Sequence, residues 1–394
     1  MVVIMSRFEE IIAKKRKDWG CPELMDIGSI PTSKIPFSSP LLNYSTYGGI
    51  PRNRITEFCG VPGGGKSTTA IDICKNAYEL FKREYDEDKQ KLQVLVNKGD
   101  KSAKIKLEEL EDRGPKRVLY VDLEHSFDAA WSKTLNIDPD KIEIMQPPDV
   151  FAEDILQTVQ ELIESDELGL VVIDSLPSLV TQSEIDKKYG ERTVASLSGL
   201  LTVFFRKITP ILTRYETTLL FINQIRQNFE NPYVIKTPGG EAPKYYASLR
   251  MLFQLGKPVD FLGNELPMST ENPDGYIINA KILKQKSAPN DRKQGSYFLM
   301  CKSGIRVDMD YAQLAMKRYG LIRKAGAWFS FVEPDTGEIL EVNEKTVKVN
   351  GMIKVYEFLQ NNTEYFNRLK KYIEDDINGK QSGEIGFEST NEIL

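Results

Sequence analysis

Residues 54–78 read RITEFCGVPGGGKSTTAIDICKNAY. An apolar run of strand type, Arg54–Cys59, leads into Gly60-Val61-Pro62-Gly63-Gly64-Gly65-Lys66-Ser67, and Ser67–Phe81 then has the spacing of a helix. The octet matches G-x-x-x-x-G-K-[ST] between a strand and a helix, the context this pattern needs. Its glycines let successive backbone N–H groups close round phosphate oxygens. The helix N-terminus adds positive potential. Lys66 supplies a point charge for β- and γ-phosphates, Ser67 a hydroxyl for Mg2+, and Thr68 the next position of the same cradle. The stretch predicts a P-loop site whose cofactors are ATP and Mg2+.

Working outward, short apolar runs recur at Val118–Asp122, Lys141–Met145, Leu170–Asp174 and Thr217–Asn223. Helical segments such as Ala152–Glu164 and Thr193–Arg214 lie between most of them. This alternation predicts an α/β core with a mostly parallel central sheet covered on both faces. Lys82–Lys116, containing KREYDEDKQK and EELEDRGPK, interrupts the alternation. It reads as a solvated, mixed-charge insertion, or a helical excursion, without chemistry of its own. Tyr276–Leu283 and Ser296–Cys301 read as a β-meander continuing the sheet. A smaller mixed segment follows from Asp310, with KAGAWFSF at 324–331 and a helix near Val355–Ile373. The resulting plan is an N-terminal helix and linker (1–50), an ATPase core (51–309, with 82–116 inserted), a small α/β C-terminal domain (310–373) and an acidic flexible tail (374–394). The N-terminal FEEIIAKKRKDW is a basic helix with Phe8, Ile11 and Ile12 on one face, read as docking on a neighbouring subunit.

Composition limits the alternatives. The chain has 394 residues, 41% hydrophobic and 28% charged, ordinary globular values that allow one large core plus smaller additions. No apolar run approaches the roughly 20 residues needed to span a bilayer, and the start, MVVIMSRFEE, lacks the pattern of a secretory signal. A cytoplasmic protein without membrane contact is expected. Cys21, Cys59, Cys74 and Cys301 form no C-x-x-C pair and His125 is the single histidine, which argues against zinc and disulfide frameworks. With 52 basic and 57 acidic residues the net charge is −5, so nucleic acid would have to meet a local basic groove rather than a uniformly basic surface.

Three further strand ends carry candidate chemistry. Leu170–Ser175, LVVIDS, ends a strand with Asp174, where a carboxylate can hold the Mg2+ hydration shell. Val121–Asp128, VDLEHSFD, offers Glu124 as a base or water-orienting group; the alternative is a surface glutamate beside a core strand. Leu219–Gln224, LLFINQ, ends in an amide that can sense the γ-phosphate.

Together these residues resemble one family. YVDLEHSFD, VVIDS, INQIR, TPGG and YYASLR stand in the order, and near the spacings, of RecA-family DNA recombinases, bacterial and phage UvsX-like. KILKQKSAP and KAGAWFSF are similar to that family's interface strand and small C-terminal domain. The resemblance spans roughly 30–373. It implies a DNA-dependent ATPase that forms helical homo-oligomeric filaments on single-stranded DNA and promotes pairing and strand exchange with double-stranded DNA in recombination and repair. Single-strand-binding and loader proteins would be further partners. Glu124 becomes the activator of water, Gln224 the γ-phosphate sensor, and Asp128 and Trp131 border the adenine. Lys284 and Lys286 match a pair that reaches a neighbour's ATP in trans; otherwise they are strand lysines facing solvent.

The first DNA segment corresponds to 184–194, with Lys187, Lys188 and Arg192 for phosphates and Tyr189 for stacking. The second corresponds to 225–240, with Arg226, Phe229, Asn231, Lys236, Gly239 and Gly240. Arg206 matches a DNA-facing arginine. Three departures from the family pattern stand out: a slightly short second segment, Glu241 after the glycine pair, and the 82–116 insertion. A RecA-fold repair ATPase usually carries a zinc ribbon, and a hexameric helicase a longer N-terminal helical domain; neither matches here. A non-catalytic DNA-coating scaffold would not need Lys66, Glu124 and Asp174 together.

Overall fold

The computed structural model describes residues 7–19, 33–187, 196–226, 236–342 and 345–379. The chain divides into two units, Met1–Ser33 and Lys34–Leu394. Described residues of the first form one helix, Arg7–Trp19, with Phe8 and Ile11 exposed. The division falls at Ser33 rather than residue 50, because Lys34–Ile35 pairs with Ile50–Pro51 and the helix Pro40–Thr46 packs on the core of the second unit.

A nine-stranded sheet organises the second unit. Its strands are β1 (Ile55–Gly60), β2 (Arg117–Asp122), β3 (Glu143–Met145), β4 (Leu168–Asp174), β5 (Thr218–Gln224), β6 (Leu249–Val259), β7 (Gly275–Gln285), β8 (Gln294–Met300) and β9 (Gly304–Ile305). Their spatial order is β9-β8-β7-β6-β1-β5-β4-β2-β3. Pairing is parallel from β6 through β3 and antiparallel among β6, β7, β8 and β9. The expected mostly parallel α/β core is present.

Strand β4 shows why. All seven residues of LGLVVID are buried, as in a strand covered on both faces. Leu170 and Val172 join one apolar cluster, Val171 and Ile173 the other, following the two-residue period of a strand. The first cluster includes Ile73, Cys74 and Ala77 of the helix that follows the P-loop; the second includes the helices Ala152–Glu164 and Ser196–Arg214.

The P-loop helix does not stop at Phe81. It runs Lys66–Asn97, because neither glycine nor proline occurs before Gly99. Gly99 turns the chain at φ +91°, and Asp100 caps the returning helix Lys101–Arg113 by accepting from the N–H groups of Ser102 and Ala103. The insertion is thus a two-helix arm, closed by buried Ala103 and Leu107 and by a Lys89–Glu111 ion pair of 2.8 Å.

A third apolar cluster lies beside the antiparallel flank. The strands Ile322–Ala325, Trp328–Phe331 and Lys348–Asn350 pair there, and the helices Met352–Asn361 and Thr363–Ile377 pack over them. The sequence suggests one helix over 355–373; Asn362, at φ −113° and ψ 65°, splits it in two. Residues 374–377 belong to this packing: Tyr311 donates to Glu374, Tyr319 donates to Asp376 at 2.7 Å, and Ile377 is buried. The acidic stretch beyond residue 379 lies outside the described residues. No described helix is long and apolar enough to cross a membrane.

Phe58 lies at the centre of the sheet, fully buried, its ring 4.8 Å from that of Phe253 and 6.2 Å from that of Phe37. Phe58→Ala should lower unfolding free energy by about 3–5 kcal/mol in guanidinium titrations followed by circular dichroism. Phe261→Ala, at an exposed ring, should barely move the midpoint. A loss below about 1 kcal/mol at Phe58 would contradict this packing.

Candidate nucleotide site and nucleic-acid interface

Parallel pairing gathers the candidate residues at one edge of the sheet. Gly60 lies beside Gln224, and Asp122 beside Asp174, so β1, β5, β4 and β2 end together. Such carboxyl ends form the crevice where open α/β sheets hold ligands. Gly60 packs tightly there: a Cβ would lie 2.2 Å from the carbonyl oxygen of Phe253 on β6. Gly65 adopts φ +89° as the helix begins, and its Cβ would crowd Ile278 at 3.0 Å. Val61, Pro62 and Gly63 form the exposed rim.

Lys66 folds back into this loop, donating from Nζ to the Val61 carbonyl at 2.8 Å. Burial pushes its pKa below the ordinary lysine value, opposed by the charges of Asp174 and Glu124. The site thus holds a poorly solvated cation on a single neutral acceptor, an arrangement suited to exchanging that acceptor for phosphate. Ser67 and Thr68 are half-buried beside it. Asp174 is almost wholly buried and accepts hydrogen bonds from Tyr120 Oη at 2.6 Å and from Ser67. Burial raises its pKa above the usual carboxylate value, while those two hydrogen bonds pull it back.

Glu124 sits on a short turn after β2. Asp122, buried, accepts from the N–H groups of Glu124 at 3.3 Å and Phe127 at 2.9 Å and from Gln146 at 2.8 Å, which fixes that turn. His125 has φ +51° there. Glu124 Oε1 accepts from Ser175 Oγ at 2.5 Å and lies 3.4 Å from Gln224 Nε2. Glu124, Gln224, Asp174, Ser67 and Lys66 therefore belong to one cluster.

Other candidates sit apart. Asp128 caps the helix Ala129–Thr134, accepting from Ala130 and Trp131 N–H at 2.7 and 3.1 Å, and Trp131 packs half-buried against the first apolar cluster. Lys284 and Lys286 are at the far end of the sheet. Gln285 between them pairs with Leu249, which pairs with Thr56, four residues before Gly60. At about 3.3 Å per residue the lysines lie roughly 13 Å down the sheet from the P-loop. Lys284 donates to the carbonyls of Lys244 at 2.6 Å and Tyr245 at 2.8 Å; Lys286 stands 5.8 Å from the Tyr245 ring centroid.

Lys188, Tyr189, Arg192, Phe229 and Asn231 lie outside the described residues. Of the other candidate DNA contacts, Lys187, Arg206, Arg226 and Lys236 are exposed. Arg226 and Lys236 pair through their backbones, closing the second segment. Gly239 and Gly240 have φ of +89° and +76°, and a Cβ on Gly240 would lie 3.0 Å from Ser198. The glycine pair thus seats the second segment against the helix that follows the first.

Comparison with known proteins decides the family. The RecA N-terminal domain family model matches residues 104–306, just over half the chain. This chain belongs to the RecA family. Protein RecA of Thermus aquaticus is 29% identical over 339 residues, 84% of this chain and 86% of that protein. Protein RecA of Ruminococcus albus is 29% identical over 338 residues, 84% and 73%; that of a Nocardioides species is 28% identical over 374 residues, 92% and 89%. As a RecA-family protein it is an ATP-hydrolysing enzyme of recombination and repair, and a RecA-fold ATPase or helicase of another task is not favoured. The matched span begins inside the second arm helix, so the P-loop and the outgoing arm helix lie before it.

Two site residues of this RecA-family chain were missed in the sequence. Ser175 immediately follows the strand-end Asp174, and Tyr120 is the hydroxyl-bearing residue in the apolar strand beside it. Both signals become legible once the register of β2 against β4 is known. Ser175→Ala should lower ATP turnover with little change in nucleotide affinity, because it removes only the hydroxyl donated to Glu124. Glu124→Gln should retain ATP binding and slow hydrolysis about 100-fold or more. Equal loss of binding and turnover, by nucleotide titration and phosphate release, would make both groups structural.

Proposed function

We propose that this RecA-family chain assembles as helical filaments on single-stranded DNA, binds ATP with Mg2+ between subunits, and promotes homologous pairing and strand exchange with double-stranded DNA. The observation that carries the reading is the separation of two functional groups. Lys66, Glu124 and Gln224 cluster at one end of the sheet, whereas Lys284 and Lys286 lie at the other, roughly 13 Å further along the strand direction. That separation supports a role for the lysine pair at a neighbour's P-loop rather than at its own. The proposed organisation is an N-terminal helix that docks on the next subunit, the ATPase core, the small C-terminal domain and an acidic tail. Single-strand-binding and loader proteins are further partners in this reading. A cytoplasmic setting agrees with the unpaired buried thiols of Cys59 and Cys74.

In this mechanism the backbone of Gly60–Gly65 and the Lys66 amine hold the phosphates. Ser67 and the buried Asp174 fit a magnesium–nucleotide complex, Asp174 through water, because desolvation has already made that carboxylate demand a cation. Bound magnesium would supply charge for the phosphate oxygens. Asp128 and Trp131 border the adenine. Glu124, oriented by Ser175, takes the proton of the attacking water. Gln224, within reach of the same carboxylate, exchanges that contact for the γ-phosphate and so reports nucleotide state. Lys284 and Lys286 stabilise developing charge on the neighbour's phosphate. DNA charge is met by Lys187, Lys188, Arg192, Arg206, Arg226 and Lys236, with Tyr189, Phe229 and Asn231 on bases and Gly239 and Gly240 at phosphate.

Subunits carrying Lys284→Ala and Lys286→Ala should bind ATP yet hydrolyse little. Mixed with Lys66→Ala subunits, they should recover part of the ATPase. Absence of recovery at every ratio, with co-assembly verified by electron microscopy, would rule out catalysis in trans. In the same images, rings in place of helical filaments would overturn the filament.

Proton uptake offers an independent check. Lys284 is held down to about 8, first by burial, then by the charges of Lys286 and Arg250. A depressed lysine pKa means the folded subunit binds fewer protons than the unfolded chain, so this group makes stability rise between pH 8 and 10.5. Phosphate from a neighbour should restore the proton. Assembly with ATP at pH 8 is therefore expected to take up protons, read as assembly heats that differ between buffers. Lys284→Ala should remove most of that difference; an unchanged difference would exclude Lys284 from the shared site.

A further inference from the structure

The sheet centre holds a charged group that the site above does not use. Glu57, fully buried on β1, is ion-paired with Arg250 on β6 and accepts from Asn223 Nδ2 on β5 at 3.0 Å. Three adjacent strands are thus cross-linked by polar side chains where apolar ones would pack. Such a buried pair is weak evidence of stability, since apolar replacements of similar volume are often neutral or better. Its value lies in what it connects. Asn223 also donates to the Pro238 carbonyl at 3.2 Å, and its Oδ1 accepts from the backbone N–H of Gln224 at 3.0 Å. At the other end Arg250 lies opposite Lys284 in the β6–β7 pair. Lys284 in turn holds the carbonyls of Lys244 and Tyr245, in the short helix that follows the glycine pair. Among the described residues, Arg250 Nη2 within this chain and Thr237 Oγ1 beside Pro238 are two of the buried polar atoms without a partner.

We propose that Asn223, Glu57 and Arg250 are positioning residues that couple the Gln224 end of the sheet to the Lys284 end, so that the nucleotide state of one subunit is felt at the nucleotide of the next and at the second DNA segment. The inference rests on the roles proposed above for Gln224 and the lysine pair. Gln224 and Lys284 are offset by three residues along the strands, about 10 Å, and by three strand spacings across them, about 14 Å. The polar chain crosses that distance through side chains that are almost entirely desolvated. A shift of the Gln224 backbone must break or carry the Asn223 contact, and a buried amide left unpaired is costly. Glu57 and Arg250 follow because neither has another charge partner among the described ion pairs.

The test uses the full-length protein with ATP and single-stranded DNA. Glu57→Gln keeps the shape and one acceptor but removes the charge; Asn223→Leu keeps the volume and removes all its hydrogen bonds. Both should bind labelled ATP and hydrolyse it without DNA within about twofold of the parent. Both should lose stimulation by single-stranded DNA about tenfold or more, the scale of ordinary couplings, and the Hill coefficient for ATP should fall toward one. Arg250→Lys, which keeps the charge, should retain part of the stimulation. If Asn223→Leu fails to bind nucleotide, Asn223→Ser is measured in its place and decides.

Gln224→Ala is run alongside. If it loses stimulation while the Glu57 and Asn223 variants keep theirs, the coupling role is overturned and the reading of Gln224 stands. If Gln224→Ala itself keeps full stimulation, the sensor reading fails and the coupling proposal falls with it.

Discussion

The parallel register of β2, β4, β5 and β1 is the constraint on which the candidate site depends. Parallel strands deliver their carboxyl ends to one edge, so residues far apart in sequence arrive side by side. Glu124 and Gln224 are one hundred positions apart and 3.4 Å apart in space. A one-residue slip of β5 against β1 would turn Gln224 away and carry Asn223 out of reach of Glu57. The buried strands resist such a slip because each face supplies its own apolar cluster.

The same sheet has two working ends. One gathers acidic and amide groups round the P-loop, the other presents two lysines. The antiparallel pairing of β6 and β7 creates this polarity: it returns residues 284–286 to the level of the start of β1, with β6 between. Under the proposed trans role of the lysines, assembly of copies would be a chemical requirement and not merely an architectural one.

Much of this was legible in the amino-acid pattern, for identifiable reasons. The P-loop could be read because its glycines, lysine and serine are contiguous between a strand and a helix. Asp174 and Gln224 could be read because each ends an apolar strand, and Glu124 because it follows one by two residues. Ser175 and Tyr120 could not, since their roles depend on lateral pairing that no local pattern encodes. The charge of the arm is plain in the sequence but its helicity is not, because charge and helicity are independent; the absence of a breaker before Gly99 is what makes it helical. The split at Asn362 was missed because apolar spacing continues on both sides of it. The boundary at 374 failed because acidity suggested solvent, while two tyrosine hydroxyls supply partners for Glu374 and Asp376.

The arm has one more consequence. Its outgoing helix carries 16 residues past Phe81, about 24 Å at 1.5 Å per residue, and the returning helix retraces that path. The Lys66–Asn97 helix stays continuous with the P-loop, and β2 starts shortly after Arg113. Turns added or removed in matching pairs at the Gly99 tip would therefore leave both attachment points where they are. The arm behaves as a detachable module: its length can drift without any atom of the nucleotide site having to move.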